Sequence, residues 1–173
     1  LVVEQLARFD KIKFDRKVEK VSKGQINVGE RRVLLAKPLT FMNLSGEAVK
    51  ILLERYHLPL DRVIIISDDV ALPFGTLRLK PQGSSGGHKG LASIIAQVGS
   101  GFPRLRIGVG SPSPGEEMSE YVLARFTPTE EKLLPPILVQ ATQALITWME
   151  EGIEKAMSVY NGPVPALQDE SKS

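Results

Sequence analysis

Val63-Ile64-Ile65-Ile66-Ser67-Asp68-Asp69 decides how the rest of the chain is read. Four β-branched residues in a row, with no polar alternation, predict a strand buried on both faces at the centre of a sheet. Ser67-Asp68-Asp69 follows directly. In open α/β sheets ligands gather beyond the carboxyl ends of the strands. Carboxylates there either orient a catalytic base or bind substrate, or else they are turn aspartates that cap their own backbone.

Upstream of that run, apolar residues at Val2, Val3, Leu6 and Phe9 have helical spacing. The helix begins with no leading cap or loop, so further residues are expected before Leu1. Residues 13–20 alternate like a strand. Residues 25–28 and 31–36 flank Gly29-Glu30 as a hairpin, and Lys23-Gly24 marks another turn. Asn43-Leu44-Ser45-Gly46-Glu47 reads as a helix start capped by Asn43 or Ser45, with Val49, Leu52, Leu53 and Tyr56 as its apolar stripe and Pro59 as its stop.

Downstream, Pro73-Phe74-Gly75 is a turn and residues 76–80 a strand with Arg78 and Lys80 on one face. A glycine- and serine-rich loop covers 81–87. A helix over 90–98 and a strand over 105–109 follow. Thr127-Pro128-Thr129-Glu130-Glu131 is a helix start, and Pro135-Pro136 predicts a kink or break within that helix. A short helix over 153–160 precedes a polar stretch. Strands alternating with helices give an α/β fold: a single-domain three-layer sandwich with a twisted, mostly parallel central sheet and an antiparallel hairpin extension. Residues 1–162 are read as the domain and 163–173 as a disordered tail.

The bulk numbers exclude more than they suggest. A length of 173 residues fits one domain, and with no cysteine there are no disulfides or thiolate metal sites. Two histidines, His57 and His88, are too few for a metal centre built on several imidazoles. A net charge of +2 says little about partners unless the charge is clustered. No apolar run approaches the roughly 18 residues that would span a bilayer.

Chemistry-bearing residues gather in a few places. The Asn43 amide can donate and accept in a cleft, or serve as a plain N-cap. Gly83-Ser84-Ser85-Gly86-Gly87-His88-Lys89-Gly90 opens a helix, where free amides attract an anion; the alternative is a loop with no ligand. Arg78, Lys80, Arg104 and Arg106 either clamp a phosphate or guard a strand edge. His57 is expected on the surface, without a catalytic role.

These segments, in this order, resemble the bacterial-type peptidyl-tRNA hydrolases. The resemblance rests on residues 37–46 around Phe41-Met42-Asn43, 68–75, 83–91, 104–110, Tyr121-Val122-Leu123 and Tyr160-Asn161-Gly162. It implies hydrolysis of the ester joining a peptide to the 3′ end of tRNA, by a cytoplasmic monomer without metal or cofactor. Asn43 and Asp68 would be catalytic, with Asn43 orienting substrate or water and Asp68 holding a histidine in its productive tautomer. Lys80 and Arg106 would contact tRNA phosphate, and Phe41, His88 and Lys89 would line the cleft. The family histidine lies in a Thr-Arg-His-Asn segment just before the first helix, and is therefore expected upstream of Leu1. Lys89 stands where many members carry asparagine; it can donate but not accept. The competing readings are a non-catalytic RNA-binding relative, such as a group II intron splicing factor, and another small α/β hydrolase. No Gly-x-Ser-x-Gly elbow supports the latter.

Overall fold

The computed structural model describes residues 1–9, 14–18, 21–112, 115 and 117–170. They form two compact units, Leu1–Ile65 with Pro81–Pro103, and Ile66–Lys80 with Arg104–Ser173.

In the first unit, α1 (Val2–Phe9) buries Val2 and Leu6 of the expected apolar face, together with Ala7, and leaves Val3 half-buried. It packs on β2 (Val21–Val28) and β3 (Arg31–Pro38), which with β1 (Asp15–Val18) make an antiparallel sheet in the order β1-β2-β3. The ends of the strand expected over 13–20 lie outside the described residues. Gly29 turns the β2–β3 hairpin at φ +57, a conformation that suits glycine. Lys23-Gly24 is not a turn. The pair sits inside β2, opposite Ala36 and Leu35, because the apolar run of β3 offers its backbone a continuous ladder.

The rest of this unit is built on α2 (Ser45–Tyr56) and α3 (Lys89–Val98). Their core is Val49, Leu91, Ile94 and Phe102, with Leu53, Leu60, Ile65, Ile95 and Val98 against it. The two helices meet at Gly46, where a Cβ would stand 2.2 Å from the Ser93 carbonyl oxygen, so only glycine fits. Helix α2 stops before Pro59. His57 takes a left-handed φ of 49° and its N–H returns to the Leu53 carbonyl.

The second unit holds β4 (Ile65–Asp69) from Ile66 onward, β5 (Thr76–Lys80), β6 (Arg104–Gly108) and β7 (Gly162–Pro163), in the order β4-β6-β5-β7. Strand β5 is antiparallel to both neighbours. Strands β4 and β6 rise together: the Ile65 N–H donates to Pro103, and the Val109 N–H donates to Asp69. The sheet is mixed, in an α/β fold. The ladder of β4 starts two residues later than the apolar run suggests and carries Ser67, Asp68 and Asp69 within the strand rather than after it. Asp69 is held there by the Val109 N–H. Among the described strands β4 ends the order instead of occupying its centre, and Ile65 and Ile66 are only half-buried.

Four helices complete this unit: α4 (Met118–Leu123), α5 (Pro128–Glu151), α6 (Ile153–Tyr160) and α7 (Pro165–Glu170). Thr127 and Glu130 form a reciprocal capping box at the start of α5, with Pro128 at its first position. The expected break at Pro135-Pro136 is absent; α5 runs through both prolines. The carbonyls they leave without donors belong to Glu131 and Lys132, both exposed, so water can satisfy them. Gly152, at φ +95, separates α5 from α6. The stretch after Gly162, expected without regular structure, carries α7, anchored by buried Val164, whose N–H donates to the Gly75 carbonyl. Residues 171–173 lie outside the described residues.

Candidate functional site

The candidate residues fall into two groups, one in each unit. The first gathers around a short 3-10 turn, Met42–Leu44, and the start of α3. Asn43 does not cap α2. It lies exposed in the turn, and Ser45 Oγ, not Asn43, closes the turn by donating to the Met42 carbonyl at 2.9 Å. Among the described residues the Asn43 amide makes no hydrogen bond, so both its functions point outward. Phe41 is 81 % exposed and leads a run in which Leu39, Met42 and Leu44 are exposed as well. Singly exposed apolar side chains are ordinary; four within six residues beside an uncommitted amide make a surface.

The turn packs on the helix start. A Cβ at Gly90 would lie 2.7 Å from Met42 Sδ and 2.9 Å from His88 Cε1. Consecutive left-handed glycines, Gly86 at φ +57 and Gly87 at φ +84, deliver the chain to His88. His88 is the N-cap of α3: its Nδ1 accepts from the Leu91 N–H at 3.1 Å. One of the helix-start amides that the sequence offered to an anion is therefore already satisfied by the protein. Lys89, the first residue of α3, is exposed. A hollow of about 530 Å³ opens nearby, lined by Gly83, Ser84, Ser85, Ala92, Ile95, Ala96 and Ser100; none of the candidate site residues lines it.

The second group lies on β4, β5 and β6. The register sets Arg78 opposite Arg106 and Lys80 opposite Arg104. Directly opposed residues share a face, so all four cations project to the same side of the sheet. Spacing alone shows only that each strand's own pair shares a face. Their environments differ. Arg104 is 1 % exposed, and burial, followed by repulsion from Arg106, pushes its pKa down. Arg78 is exposed, and Lys80 is half-buried. Arg106 is ion-paired: its Nη2 lies 2.5 Å from Asp69 Oδ2.

Asp68 and Asp69 now separate. Asp69 is buried; its Oδ1 accepts the Ala71 N–H at 3.0 Å and its Oδ2 meets Arg106. It is the turn-capping aspartate, on the cation face. Asp68, one residue earlier on the strand, projects from the opposite face and is half-buried. Two features near these strands escaped the sequence reading. Tyr121 Oη donates to the Val109 carbonyl at 2.7 Å, and Gly108 admits the 70–75 loop so closely that a Cβ would stand 2.0 Å from the Pro73 oxygen. Neither has a local pattern that would announce it.

Among the described residues no helix is long and apolar enough to cross a membrane. The fold and these motifs define an α/β protein carrying a carboxylate at a strand end and a cationic sheet face. A family model described as peptidyl-tRNA hydrolase matches residues 1–170. The peptidyl-tRNA hydrolase of Roseiflexus sp. (strain RS-1) is 43 % identical over 173 residues, 99 % of this chain and 80 % of that protein. That of Aquifex aeolicus (strain VF5) is 42 % identical over 93 % of this chain and 84 % of its own. Crystal structures of peptidyl-tRNA hydrolase from Acinetobacter baumannii, one of a point mutant and one without, align with TM-scores of 0.88 and 0.85. They are 31 % and 30 % identical, and cover 95 % and 92 % of this chain and 84 % of theirs. The chain belongs to the peptidyl-tRNA hydrolase family.

Proposed function

We propose that this protein hydrolyses the ester between peptide and tRNA in peptidyl-tRNA, returning tRNA from abandoned translation. The observation that carries the assignment of roles is the division of labour between two adjacent aspartates. Asp69 is committed to Arg106 and the Ala71 amide, and Asp68 projects from the other face of the same strand end. Asp68 orients a histidine that acts as general base toward water; Asn43, whose amide makes no hydrogen bond among the described residues, holds the ester or the water. Lys80 and Arg106 take tRNA phosphate, and Phe41, His88 and Lys89 line the path of the substrate end. The histidine belongs to the Thr-Arg-His-Asn segment that the resemblance implies upstream of Leu1. Proton transfer by imidazole and carboxylate needs no metal or cofactor. The described residues act as one catalytic domain, α7 included, in a cytoplasmic monomer.

The experiment is release of tRNA from an N-blocked aminoacyl-tRNA by the protein carrying its upstream histidine segment. Turnover is expected; binding without turnover overturns the assignment. A second reading, RNA binding without catalysis, has one observation in its favour. Leu39, Phe41, Met42 and Leu44 form an exposed apolar surface that a protein partner could cover. The same assay separates the two.

A further inference from the structure

We infer that Asp69 is a positioning residue for substrate binding, acting through Arg106, and that its role is separable from that of Asp68. The inference rests on the reading of Arg106 as a phosphate contact.

Arg106 stands in a crowd of like charge. Arg78 is its direct cross-strand partner, and Arg104 lies two residues before it on β6. Like charges directly opposed across a ladder repel, and the lowered pKa of Arg104 registers Arg106 as a neighbouring positive charge. A long flexible cation in that setting swings into solvent unless something holds it. The holder is Asp69: 8 % exposed, with its Oδ2 2.5 Å from Arg106 Nη2. The carboxylate is itself anchored. Its Oδ1 is fixed by the Ala71 N–H and its backbone carbonyl by the Val109 N–H.

A guanidinium carries five N–H donors in a planar fork. The contact with Asp69 Oδ2 is a charge pair without hydrogen-bond geometry, and the Arg106 side chain keeps 23 % of its surface open. The open part is what a phosphate oxygen can reach. Arg106 thus arrives oriented, with its rotamer entropy already lost in folding, and a pre-oriented donor binds more tightly than a mobile one. The opposing effect is that a carboxylate near a phosphate repels it. Here the carboxylate is buried behind the guanidinium and outnumbered by cations on the same face, so orientation dominates.

The test is a double-mutant cycle in the full-length protein, Asp69→Asn, Arg106→Gln and both together, read as KM and kcat on N-blocked aminoacyl-tRNA. Asparagine keeps an acceptor for the Ala71 N–H while removing the charge. Asp69→Asn is expected to raise KM on the order of tenfold with kcat little changed, and to add nothing once Arg106 is glutamine. Asp69→Glu should restore part of the loss. A lower KM in Asp69→Asn would show that the carboxylate merely opposes the substrate, and an additive double mutant would show a structural effect; either overturns the inference. If Arg106→Gln alone leaves KM and its salt dependence untouched, the phosphate role of Arg106 fails instead.

Discussion

Asn161 holds Leu79 as a neighbouring strand would. Its Oδ1 accepts the Leu79 N–H at 2.6 Å and its Nδ2 donates to the Leu79 carbonyl at 3.2 Å. Strand β7 is only two residues long, pairing Gly162 with Leu77 and Pro163 with Thr76. Before Gly162 the chain is not yet in the ladder, and one amide side chain, that of Asn161, substitutes for the missing strand. Leu79 is completely buried and lies next to Lys80, so this bond pair also fixes the backbone that carries a candidate phosphate contact.

Replacing Asn161 with aspartate keeps the size but turns the donor into an acceptor facing the Leu79 carbonyl. Stability should fall by about 1–3 kcal/mol, the cost of leaving a buried polar group unsatisfied. Chemical denaturation of Asn161→Asp beside the parent measures this, and an unchanged midpoint would refute the ladder role.

Gly46 makes a second stability prediction. An alanine methyl group would meet the Ser93 backbone, which cannot move without shifting α3 against Val49 and Leu91. Gly46→Ala should cost about 1–3 kcal/mol through overpacking, lowering the melting temperature by roughly 2–4 °C for each kcal/mol. A melting curve that superimposes on the parent's would show that the helices tolerate separation.

His88 can be tested as a cap. His88→Ala should lose about 1 kcal/mol of stability, while His88→Asn, a strong N-cap residue, should retain most of it. If alanine and asparagine behave alike, Nδ1 does not support the helix.

The contact between α1 and β3 predicts a pH dependence. Lys37 Nζ donates to Glu4 Oε1, and that hydrogen bond holds the Glu4 carboxyl below the usual carboxylate range. A carboxyl whose pKa is lower folded than unfolded contributes stability above its unfolded pKa, and loses it as pH falls through the folded value. Lys37→Met should therefore be less stable than the parent at neutral pH, with the gap closing in acid. Glu4 is 42 % exposed, so the effect is small. A gap that persists unchanged at acid pH would assign it to Lys37 packing over the Phe14 ring.

What the sequence revealed follows the reach of its signals. Helices α1, α3 and α6 and the hairpin at Gly29 are written in local periodicity and turn chemistry, and they stand where expected. Of the kink or break expected at Pro135-Pro136 the break is absent, because whether a proline breaks a helix depends on whether the freed carbonyls reach water. Lys23-Gly24 looked like a turn until its distant partner, β3, was in place. The candidate site shows the same division. Two successive aspartates read identically in sequence. Which one meets Arg106 is set by strand alternation and by a neighbour 37 positions along the chain. The cap role of His88 was hidden because histidine is not a favoured capping residue.

The most direct measurement is single-turnover hydrolysis of an N-blocked aminoacyl-tRNA by the protein with its upstream histidine segment, in the parent and in Asp68→Asn. If Asp68 holds the base in its productive tautomer, the substitution leaves the fold and substrate binding intact and lowers the rate by about a hundredfold or more. An Asp68→Asn protein that hydrolyses at the parent's rate would contradict the account at its centre.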